Sequence, residues 1–385
     1  MIRQPFSTEA TTRSAPTAPA AAVAATPDRS ALQQVLDRAT APGGAPGVVV
    51  DVRDGHGAWF GSAGVSDTGT REKRRPSERF RIGSTTKAFT ATLVLQLAAE
   101  GRLRLDDTIE QWLPGMVVGN GYDGRAITIR QLLNHTSGIF NYGNDAQFFT
   151  KGIGAAWFQH RYDTYAPEQL IRIGLATPPS FAPGEAFLYS NTNYFLAALI
   201  VEKIMGGTFA EALTQRIARP LGLTGTYLPG TEPTIQGPHT RHYSTLFASD
   251  AQPEIHDATD MNQSFAWAAG GVISTTGDLQ RFFGALLQGH LLPAGQQQEM
   301  FTTVDTTGPV PWIPGTRYGL GVFSWALPSG VTVWGNAGAT YGSWTCAMGS
   351  RDGKHLLTGQ VNGDWSGLGV LDDILTAEFG AAAGG

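Results

Sequence analysis

Phe80-Arg81-Ile82-Gly83-Ser84-Thr85-Thr86-Lys87 opens the stretch that decides the fold, and residues 88–100 continue it without Gly or Pro. Leu93, Leu95 and Leu97 make this run apolar, so a helix is expected from Thr85 to Glu100, with Gly101 as its stop. Ser84 and Lys87 stand at i and i+3, which puts a hydroxyl and an amine on one helix face. A serine hydroxyl is a poor nucleophile until a neighbouring base takes its proton. A lysine serves as that base when burial or nearby cations depress its pKa. The helix N-terminus adds unpaired N–H groups and a positive dipole end, both favouring developing negative charge. Ser-x-x-Lys alone arises by chance in most chains of this length, and its plain alternative is a surface helix start.

Two further segments decide between these readings. Pro183-Gly184-Glu185-Ala186-Phe187-Leu188 leads into Tyr189-Ser190-Asn191 and then Thr192-Asn193-Tyr194. A phenol and an amide two residues apart on a loop can face one cleft, the phenol relaying protons and the amide bonding a lysine or a substrate amide. Trp334-Gly335-Asn336-Ala337-Gly338-Ala339-Thr340 closes an expected strand and turns glycine-rich. A strand edge placed beside the serine presents a backbone N–H to an oxyanion.

In this order and spacing the three segments resemble the penicillin-recognising serine enzymes: class C β-lactamases, Streptomyces-type DD-carboxypeptidases, and related esterases and transacylases. Leu132-Leu133-Asn134-His135-Thr136-Ser137-Gly138 and Ser274-Thr275-Thr276-Gly277-Asp278-Leu279 add to the resemblance, which spans roughly residues 30–380. It implies an α/β fold of the β-lactamase/transpeptidase type, an antiparallel sheet flanked by helices with an inserted, mainly helical domain. It also implies that Ser84 forms an acyl-enzyme, that Lys87 and Tyr189 share the proton work, and that Asn191 orients Lys87 and the substrate amide. The backbone N–H groups of Ser84 and Ala339 would form the oxyanion hole, where losing one donor costs about 2.7–4 kcal/mol of barrier. Trp267 matches an aromatic wall of the cleft, with plain core packing as its alternative. Phe323, Asn336, Ala337, Gly338 and Thr340 complete the expected substrate-binding set. His135 lies in a segment that is structural in this family, so it is not expected to be catalytic.

The chain departs from the family at the third motif. Lys-Thr-Gly or His-Thr-Gly is usual there, and this chain has Asn336-Ala337-Gly338. The carboxypeptidase pattern also places an arginine shortly after Tyr-Gly-Leu-Gly, where this chain has Phe323 within Tyr318-Gly319-Leu320-Gly321-Val322-Phe323. Both groups hold a substrate carboxylate, and a charge-assisted bond is worth roughly 1.5–3 kcal/mol. Their joint loss points to an uncharged or differently shaped acyl donor. The expectation is a serine transacylase or esterase passing an acyl group from an ester or amide to an amine, alcohol or water, in antibiotic biosynthesis. Alternatives are a DD-carboxypeptidase/transpeptidase or class C β-lactamase, and a binding or sensor module without turnover. On the first reading, Asn336→His is expected to raise reactivity toward carboxylate-bearing β-lactams.

Composition narrows the field from outside. The chain has 385 residues, 27 basic and 32 acidic, and a formal net charge of −5. Charged residues make up 15% and glycines number 49, so the chain is sparsely charged and glycine-rich. No basic cluster exceeds Arg71-Glu72-Lys73-Arg74-Arg75, so no nucleic-acid footprint is present. Cys346 is the single cysteine, which excludes an internal disulfide and reads as a small buried apolar residue. No apolar window reaches membrane-spanning length, and no metal-ligand or phosphate-cradling motif appears, so no metal or other cofactor is expected. Residues 1–28 are Ala/Pro-rich and lack a secretory core, so a disordered tail on a cytoplasmic protein is expected, with secretion the alternative.

Strand patterns occur at Gly47–Arg53 and Ala58–Gly61, and again at Tyr318–Trp325, Val331–Trp334, Trp344–Met348 and His355–Val361, the last two joined at Asp352-Gly353. Helical patterns fill the middle, at Ile129–Asn134, Tyr194–Met205, Phe209–Ala218 and Gly277–Leu287, and a terminal helix is expected over Val370–Phe379. The expected division is a sheet domain of 29–83 with 272–385 and a helical domain of 84–271, with the nucleophile helix at the cleft between them. The partners are a small-molecule acyl donor and acceptor.

Overall fold

The computed structural model describes residues 28–248 and 253–380. The expected disordered tail falls almost wholly outside the described residues. Eight antiparallel strands form the main sheet: β1 (Gly47–Asp54), β2 (Gly57–Gly64), β3 (Val304–Asp305), β4 (Thr316–Tyr318), β5 (Phe323–Ala326), β6 (Thr332–Thr340), β7 (Ser343–Gly349) and β8 (Leu356–Val361). Their order is β2-β1-β8-β7-β6-β5-β4-β3. The first hairpin therefore docks on the last strand, through Val48↔Val361 to Arg53↔Leu356. Val48, Val50 and Val52 face one side, where they pack with Cys346, Met348 and Leu357. Successive side chains of a strand point to opposite faces, so this alternation fixes the register.

Helices α1 (Ser30–Ala39) and α6 (Gly367–Phe379) cover that side, while α5 (Thr276–Leu287) covers the other. Arg29 ties the ends together. Its guanidinium meets Asp54 at 2.6 Å and Glu378 at 2.9 Å, and His355 Nε2 lies 2.8 Å from the same Glu378 oxygen. Asp54, His355 and Glu378 bring three ligand-type atoms together, and Arg29 already supplies their counter-charge.

The helical part centres on α2 (Thr86–Ala99) and α4 (Asn191–Met205). Every residue of α2 from Ala88 to Leu95 is buried, as is Leu97. A helix apolar all round belongs inside a core, and each buried leucine contributes about 1.5–3 kcal/mol. Its threonines are satisfied locally: Thr92 donates to the Ala88 carbonyl at 2.7 Å and Thr90 to the Ala268 carbonyl at 2.7 Å. Phe89 stacks on Phe282 of α5, which locks α2 to the helix under the sheet.

Three differences from the expected elements have clear causes. The run at 318–325 splits into β4 and β5, because Gly321 turns the chain at a φ of +73°. The run at 209–218 is helical only to Leu213 and then widens into a π turn over Thr214–Ala218. The strand at 331–334 extends to Thr340, since its glycine-rich second half pairs with β7. Beyond Gly335, β6 has lost β5 as a partner, and the Ser84 turn lies against that free edge.

Candidate active site

Ser84 sits in a single 3-10 turn, Gly83–Thr85, that feeds directly into α2. Gly83 makes the turn at a φ of +51°, and a Cβ there would lie 2.7 Å from the Ala339 nitrogen. Gly338 is equally constrained: a Cβ would meet the Ile82 carbonyl and stand 2.6 Å from the Ser84 nitrogen. Two glycines thus let the β6 backbone approach the turn, bringing the Ser84 and Ala339 amides to one place.

Two side chains meet at the serine oxygen, and a third holds one of them. The Tyr189 hydroxyl donates to Ser84 Oγ at 2.7 Å. Lys87 Nζ stands 3.2 Å from Ser84 Oγ, 2.8 Å from Asn191 Oδ1 and 2.8 Å from the Ala269 carbonyl. Lys87 is fully buried, and burial drives its pKa well below that of a free lysine. No carboxylate pairs with it among the described residues. Asn191 Oδ1 and the Ala269 carbonyl are pure acceptors, so they engage two N–H bonds of the amine, and in its neutral form the lone pair is left for the serine. Tyr189 behaves oppositely, since burial raises its phenol pKa and keeps it protonated. Its ring stacks on Trp312 at 5.7 Å, and Lys87 Nζ lies 4.6 Å from the ring centre.

His135 stands behind Tyr189, with ring centres 4.4 Å apart, and is fully buried. Its Nδ1 accepts from the Ser190 amide at 3.2 Å, and burial together with Lys87 lowers its pKa well below the ordinary value. It makes no bond to Ser84. Its role is to hold the Tyr189-Ser190 backbone.

Ser84 and Asn191 open onto a cavity of about 240 Å³ whose wall is aromatic. Phe148, Trp157, Tyr165, Phe265 and Tyr341 line it, and Tyr142 braces it by donating to the Phe265 carbonyl. Ala339 and Thr340 form its β6 side. The other five expected substrate contacts lie elsewhere. Trp267, half-buried, packs edge-on against Phe195 at 5.2 Å and Phe209 at 5.7 Å, on the side of the helical core. Phe323 is 1% exposed and clusters with Trp312 and Tyr318, because β5 turns that residue into the core. An arginine missing at Phe323 therefore says nothing about the cleft. Asn336 is 2% exposed and spends its amide on the Gly321 carbonyl at 2.8 Å. Ala337 packs under the sheet, and Gly338 admits the serine turn without lining the cavity.

The aromatic wall itself was not among the expected site residues. Its signal was present, since eight aromatic residues fall between 140 and 165 in a chain that is 10% aromatic. Helical spacing makes such a run read as core, and only the tertiary fold turns part of it toward Ser84.

The beta-lactamase family model matches residues 32–359. The chain belongs to that family. It is accordingly a serine enzyme of the hydrolase and acyltransferase kind, with the fold that the three motifs implied. Among solved structures it is similar to a D-stereospecific amidohydrolase from Streptomyces sp., at 46% identity and a TM-score of 0.84 over 92% of this chain and 99% of that one. It is also similar to the D-amino acid amidase of Ochrobactrum anthropi SV3, seen with L-phenylalanine amide, at 25% identity and a TM-score of 0.77 over 91% and 98%. Among curated relatives, penicillin-binding protein 4 of Amycolatopsis lactamdurans is 30% identical over 74% of this chain and 72% of its own length. Penicillin-binding protein 4* of Bacillus subtilis is 29% identical over 67% of this chain, which spans 56% of that relative. Among the described residues, no helix is long and apolar enough to cross a membrane.

Proposed function

We propose that the protein is a serine amidase or transacylase for amides and esters of D-amino acids with an aromatic or apolar side chain. One observation carries this: Ser84, bonded by Tyr189 and Lys87, opens onto a cavity walled by Phe148, Trp157, Tyr165 and Phe265. The 46% identity with a D-stereospecific amidohydrolase supports the stereochemical part.

Lys87, held neutral by burial, takes the Ser84 proton as Oγ attacks the substrate carbonyl. The oxyanion forms at the Ser84 and Ala339 amides. Tyr189 gives its proton to the departing nitrogen or oxygen, and the new Lys87 ammonium faces the resulting phenolate. The acyl-enzyme is then attacked by water or an amine. The phenolate takes the attacking group's proton, and Lys87 returns the proton to Ser84. Each cycle therefore ends with every side chain restored.

A DD-carboxypeptidase or β-lactamase reading has less support at the third motif, where the buried Asn336 offers nothing to a substrate carboxylate. Intact Ser84, Lys87, Tyr189 and Asn191 speak against a sensor without turnover. Neither the site nor the relatives bear on the antibiotic-biosynthesis setting expected from the sequence. The test is intact-protein mass spectrometry with turnover assays on D- and L-phenylalanine amide, D-phenylalanine methyl ester, a D-Ala-D-Ala peptide and penicillin. D-selective release of ammonia or methanol, abolished in Ser84→Ala, is the expected result. Rapid Ser84 acylation by penicillin with no turnover of the D-amide would overturn it in favour of the peptidase.

A further inference from the structure

The cavity wall carries a cation that nothing in the reaction uses. Arg161 caps α3 (Ala155–His160) and lines the same cavity as Ser84. Its guanidinium carbon lies 4.6 Å from the Tyr162 ring centre and 5.1 Å from that of Trp157, so the planar group is stacked in place. Its backbone is pinned as well: the Arg161 amide donates to the Trp157 carbonyl at 2.7 Å, and its carbonyl accepts from the Asn262 amide at 2.8 Å.

The guanidinium nevertheless makes no ion pair or hydrogen bond among the described residues, and its Nε is buried without a partner. Lys151, also at the cavity, has no ion-pair partner among the described residues either. Asp163 is the one carboxylate among the described lining residues, and it is already engaged. It lies 2.8 Å from His160 Nδ1 and accepts from the Tyr165 hydroxyl at 3.3 Å. In a protein with a net charge of −5, two cations without an ion-pair partner among the described residues thus line the cavity that Ser84 opens onto. Buried donors without acceptors are rare, and a low-dielectric cavity lined by one sign of charge draws in the other.

We infer that Arg161, assisted by Lys151, is a specificity residue that binds a carboxylate of the substrate. This rests on the acyl-serine reading above. The carboxylate has two chemical sources, the leaving group and the acyl side chain, and paired substrates separate them. For the leaving group the pair is D-Phe-D-Ala against D-Phe-D-Ala amide. For the acyl side it is D-4-carboxyphenylalanine amide against D-phenylalanine amide. A third pair, the p-nitrophenyl esters of phenylacetate and 4-carboxyphenylacetate, reports acylation of Ser84 by mass even where amides fail.

In at least one pair the charged member should have a kcat/KM, or an acylation rate, about tenfold or more above its neutral partner. Arg161→Met keeps the apolar stem and should bring that ratio near one, while Arg161→Lys retains part of it. Thermal melting checks each variant, and Arg161→Gln replaces a variant that does not fold. Ratios within twofold in all three pairs, or a preference that survives in Arg161→Met, overturn the inference. Turnover of D-phenylalanine amide with no carboxylate preference sinks this inference alone. Failure of every amide with preferential acylation by the carboxylated ester sinks the amidase reading and leaves this one standing.

Discussion

The Tyr189 hydroxyl donates to Ser84 Oγ at 2.7 Å across 105 residues of chain, and Lys87 approaches the same oxygen from one turn along α2. The two partners are driven in opposite directions by one cause. Burial lowers the lysine pKa and raises the phenol pKa, which on the proposed mechanism sets base and acid apart before substrate arrives.

That separation fixes the pH behaviour. On the proposed mechanism acylation needs neutral Lys87, so kcat/KM should rise with pH through a lysine pKa well below 10.5. For stability the sign is also defined. Because the folded pKa is lowered, the unfolded chain binds more protons, so this group's contribution is full above the unfolded pKa and falls as pH drops toward the folded one. Single-turnover acylation across pH checks the first statement, and an acylation rate flat from pH 5 to 10 would contradict it.

Tyr189→Phe removes the hydroxyl and keeps the ring on Trp312. The acylation rate should fall by about 10²–10⁴, the usual scale of general acid–base catalysis, with little change in melting temperature. Stopped-flow acylation beside a thermal melt separates the two quantities.

Gly338→Ala tests the close approach of β6 to the serine turn. The new methyl would meet the Ile82 carbonyl and sit 2.6 Å from the Ser84 nitrogen, so the strand must move. A stability loss of about 1–3 kcal/mol is expected from such overpacking, with a larger loss of kcat as the oxyanion donors separate. Denaturant unfolding and kcat on one preparation give both numbers, and a wild-type kcat would exclude this role.

Asn336→His now carries a different expectation from the one its motif alone suggested. Its amide is consumed by the Gly321 carbonyl and it is 2% exposed. The larger ring should destabilise by about 1–3 kcal/mol through the lost bond, and penicillin acylation should not rise. A raised penicillin acylation rate in a well-folded variant would return Asn336 to the cleft.

Phe148→Ala opens the apolar wall of the cavity. KM for D-phenylalanine amide should rise more than kcat falls, because burial of the side chain is a binding term shared by ground state and transition state. Steady-state kinetics on D-phenylalanine amide and D-alanine amide check this, and equal effects on both substrates would place Phe148 outside the side-chain site.

Ser84, Lys87, Tyr189 and Asn191 were legible because their chemistry depends on residue type and short spacing, and a helix or a loop preserves short spacing. Ala339 was legible for a related reason, since a glycine-rich strand end can approach another backbone whatever lies beyond it. Phe323, Trp267 and Asn336 were misplaced because motif position does not tell which way a side chain points. A one-residue change of phase on a strand exchanges core for cleft.

The sequence by itself determined the Ser84 turn, its helix and the family, all of them local patterns of type and period. Only the tertiary structure decided what the serine faces. The docking of β1 on β8 brings the chain ends together, and the freed edge of β6 meets the Ser84 turn. The segment around residues 140–165, apolar enough to be core, turns part of its aromatic run and Arg161 into the cavity wall. The physical reason is that burial, charge pairing and pKa are properties of what surrounds a side chain, and those surroundings come from distant segments of the chain.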